Sequence, residues 1–150
     1  MGVRVQEEDF DLGHEVAQLS ANRQDIGALV TFSGLVRGGP QADPISTMTL
    51  EHYPGMTEKA LAEIEAEAVG RWRLQASLII HRFGVLRPGE QIMMVATASA
   101  HRQDAFEAAE FLMDYLKSRA PFWKKEEGPK GGEWVDARVS DEEALARWAK

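Results

Sequence analysis

Two lysines, Lys117 and Lys124, and the adjacent pair His101-Arg102 are the side chains whose types and spacing could do chemistry in this chain. With Arg119 and Lys125, the lysines form a local basic cluster in a protein of formal net charge −7. Held in one pocket with Arg102 and Arg37, each lysine would feel like charges that lower its pKa. A lysine so tuned can act as a general acid or base, or attack an acyl group. Plainer roles compete: Lys117 as a surface partner of Asp114 or Glu110 on its own helix, and Lys124 as an outward guard on an edge strand. His101-Arg102 at a helix start could clamp an anion between backbone N–H groups, an imidazole and a guanidinium, or simply cap the helix. Arg37, before Gly38-Gly39, could close on a phosphate or face water, and no phosphate-loop pattern follows it. His14, His52 and His81 lack metal-ligand spacing, so structural roles are expected and no metal is implied. Phe122-Trp123 reads as core or interface packing, although Phe32 or Trp123 could flank a flat heterocycle. No Ser-His-Asp order or carboxylate pair stands out.

The totals narrow the chemistry further. At 150 residues, with 44% apolar and 27% charged side chains, the chain reads as one domain over 1–150 of ordinary globular type. Its 24 acidic against 17 basic residues argue against general nucleic-acid binding. No apolar run approaches a membrane span, and MGVRVQEEDF lacks a signal-peptide pattern, so the expected compartment is the cytoplasm. There is no cysteine, which removes disulfides, thiolate nucleophiles and cysteine-ligated metals together. Any sulfur chemistry must use sulfur carried by another molecule.

The elements that must position these groups follow from periodicity. Ser99 to Arg119 predicts an amphipathic helix with Phe106, Ala109, Met113 and Leu116, plus Ala105 and Leu112, facing inward. Ser99 is its expected N-cap and Pro121 its stop. His101-Arg102 and Lys117 then lie at opposite ends, about 22 Å apart at roughly 1.5 Å per residue. One straight helix cannot bring both to one small ligand, whereas two antiparallel copies in a two-fold dimer can. Earlier in the chain, strands are expected at Val3–Gln6, Ile26–Arg37 (bulged at Gly27 or Gly34) and Thr47–Tyr53, with helices at Gly13–Ala21 and Thr57–Trp72. Ala60, Leu61, Ile64 and Ala68 should face inward. Leu74–Phe83 and Gln91–Ala100 read as strands joined through Arg87-Pro88-Gly89-Glu90. Phe122–Glu126 and Trp134–Arg138 suggest a closing hairpin, and Asp141–Ala149 a short helix with a frayed tail. The breaker-rich stretch 38–46 is expected to be a mobile loop. Strands and helices without strict βαβ alternation give an α+β sandwich, mostly antiparallel.

LEHYPGMTEKAL (50–61), SAHR (99–102) and MDYLKSRAPFWKKE (113–126) closely resemble the catalytic (large) subunit family of molybdopterin synthase. TFSGLVR (31–37), IHRFGVLRPGE (80–90) and WVDAR (134–138) extend the likeness over almost the whole chain. The resemblance implies an α/β-hammerhead-like fold with a small additional β subdomain. It implies a sulfurtransferase of molybdenum cofactor biosynthesis that needs no cofactor of its own. Its expected assembly is a homodimer within a heterotetramer, each large subunit holding a small ubiquitin-like sulfur carrier. The carrier's C-terminal Gly-Gly thiocarboxylate supplies sulfur to cyclic pyranopterin monophosphate, forming the dithiolene of molybdopterin. By position, Lys117 and Lys124 match the catalytic lysines, and Arg37, His101 and Arg102 the pterin- and phosphate-binding residues. Leu35, Val36, Lys125 and Glu126 match neighbouring pocket positions, with Arg138 a further basic candidate. The rival readings are a non-catalytic adaptor that docks the tail of a ubiquitin-like protein, and a hydrolase for an anionic acyl substrate.

Overall fold

Helices cover both faces of the first of two β-sheets, and the second sheet closes its end. A computed structural model describes residues 2–39, 46–128, 131–135, 139–146 and 148–149. Most of the loop expected at 38–46, and Arg138, lie outside the described residues. The element order is β1 (Gly2–Gln6), α1 (Leu12–Ser20), β2 (Ala28–Leu35), β3 (Thr47–His52), α2 (Met56–Arg71), β4 (Ala76–Arg82), β5 (Gly84–Leu86), β6 (Gln91–Ser99), α3 (Arg102–Arg119), β7 (Phe122–Gly128), β8 (Gly131–Val135) and α4 (Val139–Ala146). The sheets run β1-β4-β6-β2 and β5-β3-β7-β8. Every pairing among the described residues is antiparallel except β1 with β4. This is the expected α+β arrangement, with the second sheet as the additional β unit. No helix among the described residues is long and apolar enough to cross a membrane.

On one face of the first sheet, Leu61, Ile64 and Ala68 of α2 and Phe111, Leu112 and Leu116 of α3 pack on Ile79, Met93 and Val95. On the other, Leu12, Val16 and Leu19 of α1 cover Leu78, Ile80, Met94 and Ala96. Burial on both faces explains why β4 and β6 are apolar without alternation. A smaller cluster, Val36, Met48, Leu50 and Leu86, lies on the inner face of the second sheet.

Several expectations need correction. Phe106 is 60% exposed, while Phe111, five positions on, is fully buried. Phe111 meets Trp72, Tyr115 and Trp148 at centroid distances of 5.2, 4.5 and 5.5 Å, a burial that contributes about 1.5–3 kcal/mol. At roughly 100° per residue, Phe106 falls just past the edge of the buried arc. Ala60 is likewise only partly buried. Ser99 does not cap α3: it ends β6, its hydroxyl donates to the Arg73 carbonyl at 2.8 Å, and His101 takes the N-cap position without a side-chain cap bond.

β2 is shorter than expected. Gly27 lies outside it, where a Cβ would sit 2.2 Å from the Ala100 carbonyl oxygen. The register irregularity falls at Gly34/Leu35, one of the two expected bulge positions. β5 was not anticipated: Gly84, at φ 93°, turns the chain out of β4 and into the second sheet, a conformation costly for other residues. The Arg87–Glu90 turn forms as read, with Glu90 N–H donating to Arg87 O at 3.0 Å and Gly89 at φ 92°. With Pro88 ahead of it, this is a type II turn.

Candidate active site

Lys117 sits in the last turn of α3 with its side chain exposed. Among the described residues it forms no ion pair, and Asp114, one of its anticipated surface partners, instead accepts a hydrogen bond from the Trp148 indole. His81 lies near the end of β4 and is only 9% exposed. The His81 ring stacks on Phe122 at 3.7 Å and 16°, and its Nδ1 lies 2.8 Å from the Arg82 carbonyl oxygen. A carbonyl can only accept, so Nδ1 carries the proton and Nε2 is the free lone pair. Burial pushes the His81 pKa down to about 4, opposed by that backbone bond and assisted by repulsion from His52 and Lys117. Its imidazole is therefore neutral at pH 7. His52 completes the junction, 4.5 Å from the Phe83 ring and 6.1 Å from Phe122. Its Nδ1 meets Thr57 Oγ1 at 3.1 Å.

Lys124 follows on β7, where it pairs with Leu50 of β3 and Val135 of β8. β7 lies inside its sheet, so Lys124 is not an edge guard. Alternation puts Phe122, Lys124 and Glu126 on the same face as Met48 and Leu50, and Lys124 Nζ lies 4.0 Å from Glu126 Oε1. Lys125 points to the opposite face, 3.4 Å from Glu127. Leu35 is 57% exposed, whereas Val36 is 3% exposed. Val36 N–H donates to Glu90 O at 2.9 Å, and its carbonyl accepts from Gly89 N–H at 2.8 Å. The type II turn thus fixes the backbone just before exposed Arg37, so Val36 contributes as an anchor in the core.

Strand register sorts the cations into two groups. β2 starts opposite Ser99 and ends opposite Gln91, and α3 runs back over β6. Thr97 bonds the Ala105 carbonyl near the start of α3, while His81, opposite Met93, feels Lys117 near its end. Arg37, Lys117 and the His81–Phe122 stack leading to Lys124 therefore lie towards one end of the sandwich. His101 and Arg102, both exposed, lie at the other. A single chain does not bring them together. Along α3, Arg102, Phe106, Met113 and Lys117 fall within an arc of roughly 60°, a stripe with a cation at each end and apolar side chains between.

Nothing in the sequence marks His81 and His52 as companions around Phe122. Isolated histidines on apolar strands carry no spacing signal, and the junction arises only when β7 packs beside β4. Among the described residues no group of His, Asp or Glu could hold a metal ion.

Two antiparallel-dominated sheets, helices on both faces of the first and a cationic flank on α3 define an α/β-hammerhead-like enzyme class. The family profile described as MoaE protein matches residues 5–119, which include Arg37, His101, Arg102 and Lys117. The molybdopterin synthase catalytic subunit of Ralstonia nicotianae is 61% identical over 146 residues, covering 97% of this chain and 83% of its own. The solved structure of the molybdopterin biosynthesis MoaE protein from Burkholderia ambifaria superposes with a TM-score of 0.85 at 55% identity, covering 99% of this chain and 98% of that one. That of molybdopterin synthase from Staphylococcus aureus gives 0.82 at 29% identity, covering 89% and 96%. The chain belongs to the MoaE family, and so to molybdenum cofactor biosynthesis as a sulfur-transferring enzyme.

Proposed function

We propose that this chain, acting as one domain in the cytoplasm, transfers sulfur from the Gly-Gly thiocarboxylate of a small ubiquitin-like carrier to cyclic pyranopterin monophosphate. Two copies of the chain and two carriers make the working heterotetramer. The observation that carries this reading is the α3 stripe. Phe106 is 60% exposed one turn in from Arg102, on a flank that ends at Lys117. A second, antiparallel copy would cover Phe106 and set Arg102 of one chain beside Lys117 of the other.

In the proposed reaction the thiocarboxylate sulfur attacks an electrophilic carbon of the pterin side chain, forming a C–S bond and a thioester to the carrier as that carbon's C–O bond to the cyclic phosphate breaks and the phosphate ring opens. Water then attacks the thioester carbonyl. The carrier leaves as a carboxylate, and the sulfur stays on the pterin as a thiolate. A second carrier delivers its sulfur to the neighbouring carbon, whose oxygen leaves as water, and the same hydrolysis completes the dithiolene. Lys117 stabilises developing negative charge and moves the proton, and Lys124 shares that work from β7. Arg37, His101 and Arg102 hold the phosphate as its ring opens. Leu35 and Glu126 border the pocket, with Val36 behind them and Arg138 as a further cation, while Lys125, on the opposite face of β7 from Lys124, does not reach it from this chain.

The test is molybdopterin formation from thiocarboxylated carrier and cyclic pyranopterin monophosphate. Lys117→Ala should reduce it about a hundredfold or more, the usual scale for losing a positioned acid or base, with carrier binding little changed. Near-normal turnover in the variant would favour the adaptor reading, and turnover without any carrier the hydrolase reading.

A further inference from the structure

We infer that Arg82 is a positioning residue for Arg37: its buried guanidinium clamps the turn at 87–90 through Gln91, and that turn holds the backbone on both sides of Arg37 so that the exposed guanidinium meets the substrate's phosphate. This rests on the reading of Arg37 as a phosphate-binding residue. Arg82 ends β4 with only 7% of its surface exposed, and a buried cation persists only where its N–H groups and its charge are matched. Its Nε donates to the Glu7 carbonyl and its Nη1 to the Gln91 carbonyl, at 2.9 Å each. The carboxylates of Asp9 and Glu90 each lie 3.9 Å from Nη1. Gln91 is gripped through its side chain as well, donating to Asp9 Oδ1 at 2.9 Å and to the Phe10 carbonyl at 2.7 Å.

From Gln91 the link to Arg37 runs through backbone. Leu35 pairs with Gln91 across the irregularity at Gly34/Leu35. Val36 N–H donates to the Glu90 carbonyl at 2.9 Å, and Gly89 N–H donates to the Val36 carbonyl at 2.8 Å. Beyond Arg37, a Cβ on Gly38 would lie 3.8 Å from Pro88 Cβ, so the chain leaves Arg37 against the same turn. Arg37 is exposed and forms no ion pair among the described residues. A long side chain without a partner takes its direction from its backbone. Gly38 and Gly39, the latter at φ 77°, leave the following chain free to turn. The turn and the Arg82 clamp behind it therefore set where Arg37 starts, although Arg82 itself never touches substrate.

The test uses the full chain in the thiocarboxylated-carrier assay. Arg82→Met keeps the aliphatic stem and removes the clamp, while Arg82→Lys keeps a cation that can donate to the Gln91 carbonyl. Arg82→Met should lower kcat/KM for cyclic pyranopterin monophosphate about tenfold, the scale of one charged hydrogen bond, with KM for the carrier within about twofold. Arg82→Lys should recover a substantial part of that loss. In a double-mutant cycle, Arg82→Met added to Arg37→Ala should lower kcat/KM no further, which a merely structural role would not produce. If Arg82→Met does not fold, Gly89→Val decides: it strains the exposed turn at φ 92° where nothing lies within 4 Å of the new Cβ, and should give the same loss, again absent on Arg37→Ala. Wild-type kcat/KM in folded Arg82→Met or in Gly89→Val would overturn the proposal. So would a loss that persists in full on Arg37→Ala. Wild-type kcat/KM in Arg37→Ala would instead overturn the underlying reading of Arg37, so the two failures are distinguishable.

Discussion

Acidification should weaken the fold through His81, and the size of the effect follows from its surroundings. The folded imidazole titrates at about 4 against an ordinary 6.5, because burial beside Phe122 removes the water a charged ring needs. Between these values the unfolded chain takes up a proton that the folded chain refuses. Stability due to this group is therefore full above about pH 6.5, falls as pH drops, and levels off below about pH 4. At about 1.4 kcal/mol per unit the total is about 3 kcal/mol, a large part of a typical 5–15 kcal/mol. Glu65 acts in the opposite sense. Desolvation raises its pKa against the bonds from Ser77 and Gly2 N–H, so its contribution is lost as pH rises through the folded value. Comparing wild type with His81→Gln cancels that term. Urea melts at intervals from pH 7 to 4 should show wild type losing stability more steeply than the variant, by up to about 1.4 kcal/mol per pH unit. Parallel curves would refute the claim that the imidazole is buried and neutral.

Two other perturbations probe the scaffold and the proposed assembly. Thr57 is fully buried, and its hydroxyl donates to the Tyr53 carbonyl and accepts from Tyr53 N–H at 2.8 and 3.0 Å. Thr57→Val should therefore cost about 1–3 kcal/mol in a urea melt by stranding the Tyr53 N–H, while the Tyr53 carbonyl keeps its bond from the Thr57 N–H; a change under half that lower bound would show that the Tyr53 N–H finds another partner. Phe106→Glu puts a charge on the apolar part of the α3 stripe and should convert the proposed dimer to monomer in sedimentation equilibrium while the isolated fold melts normally; an unchanged dimer would move the interface elsewhere.

Much of this was legible in the sequence because some residues permit only one local geometry. Arg87-Pro88-Gly89-Glu90 read as a turn, Pro121 ended α3, and the apolar period of α2 picked out Leu61, Ile64 and Ala68. Other features depend on tertiary contact. The period of α3 marked a buried side but not its limits, so Phe106 on its flank was mistaken for core and Phe111 was passed over. β5 is three residues long and exists because Gly84 redirects the chain. Lys117, Arg37, His101 and Arg102 were singled out by local charge and by family resemblance. His81 could not be, because β4 is buried along its whole length and shows no alternation in which one polar residue stands out.

The central claim is that each pocket takes Arg102 from one chain and Lys117 from the other. The most direct measurement is molybdopterin formation by a mixed dimer carrying Arg102→Ala in one subunit and Lys117→Ala in its partner. One pocket of that dimer then receives both lesions and the other neither. Both parent homodimers should be nearly inactive, and the purified mixed dimer should recover about half of wild-type activity per dimer. A mixed dimer as inactive as its parents would mean that the pocket is built within a single chain.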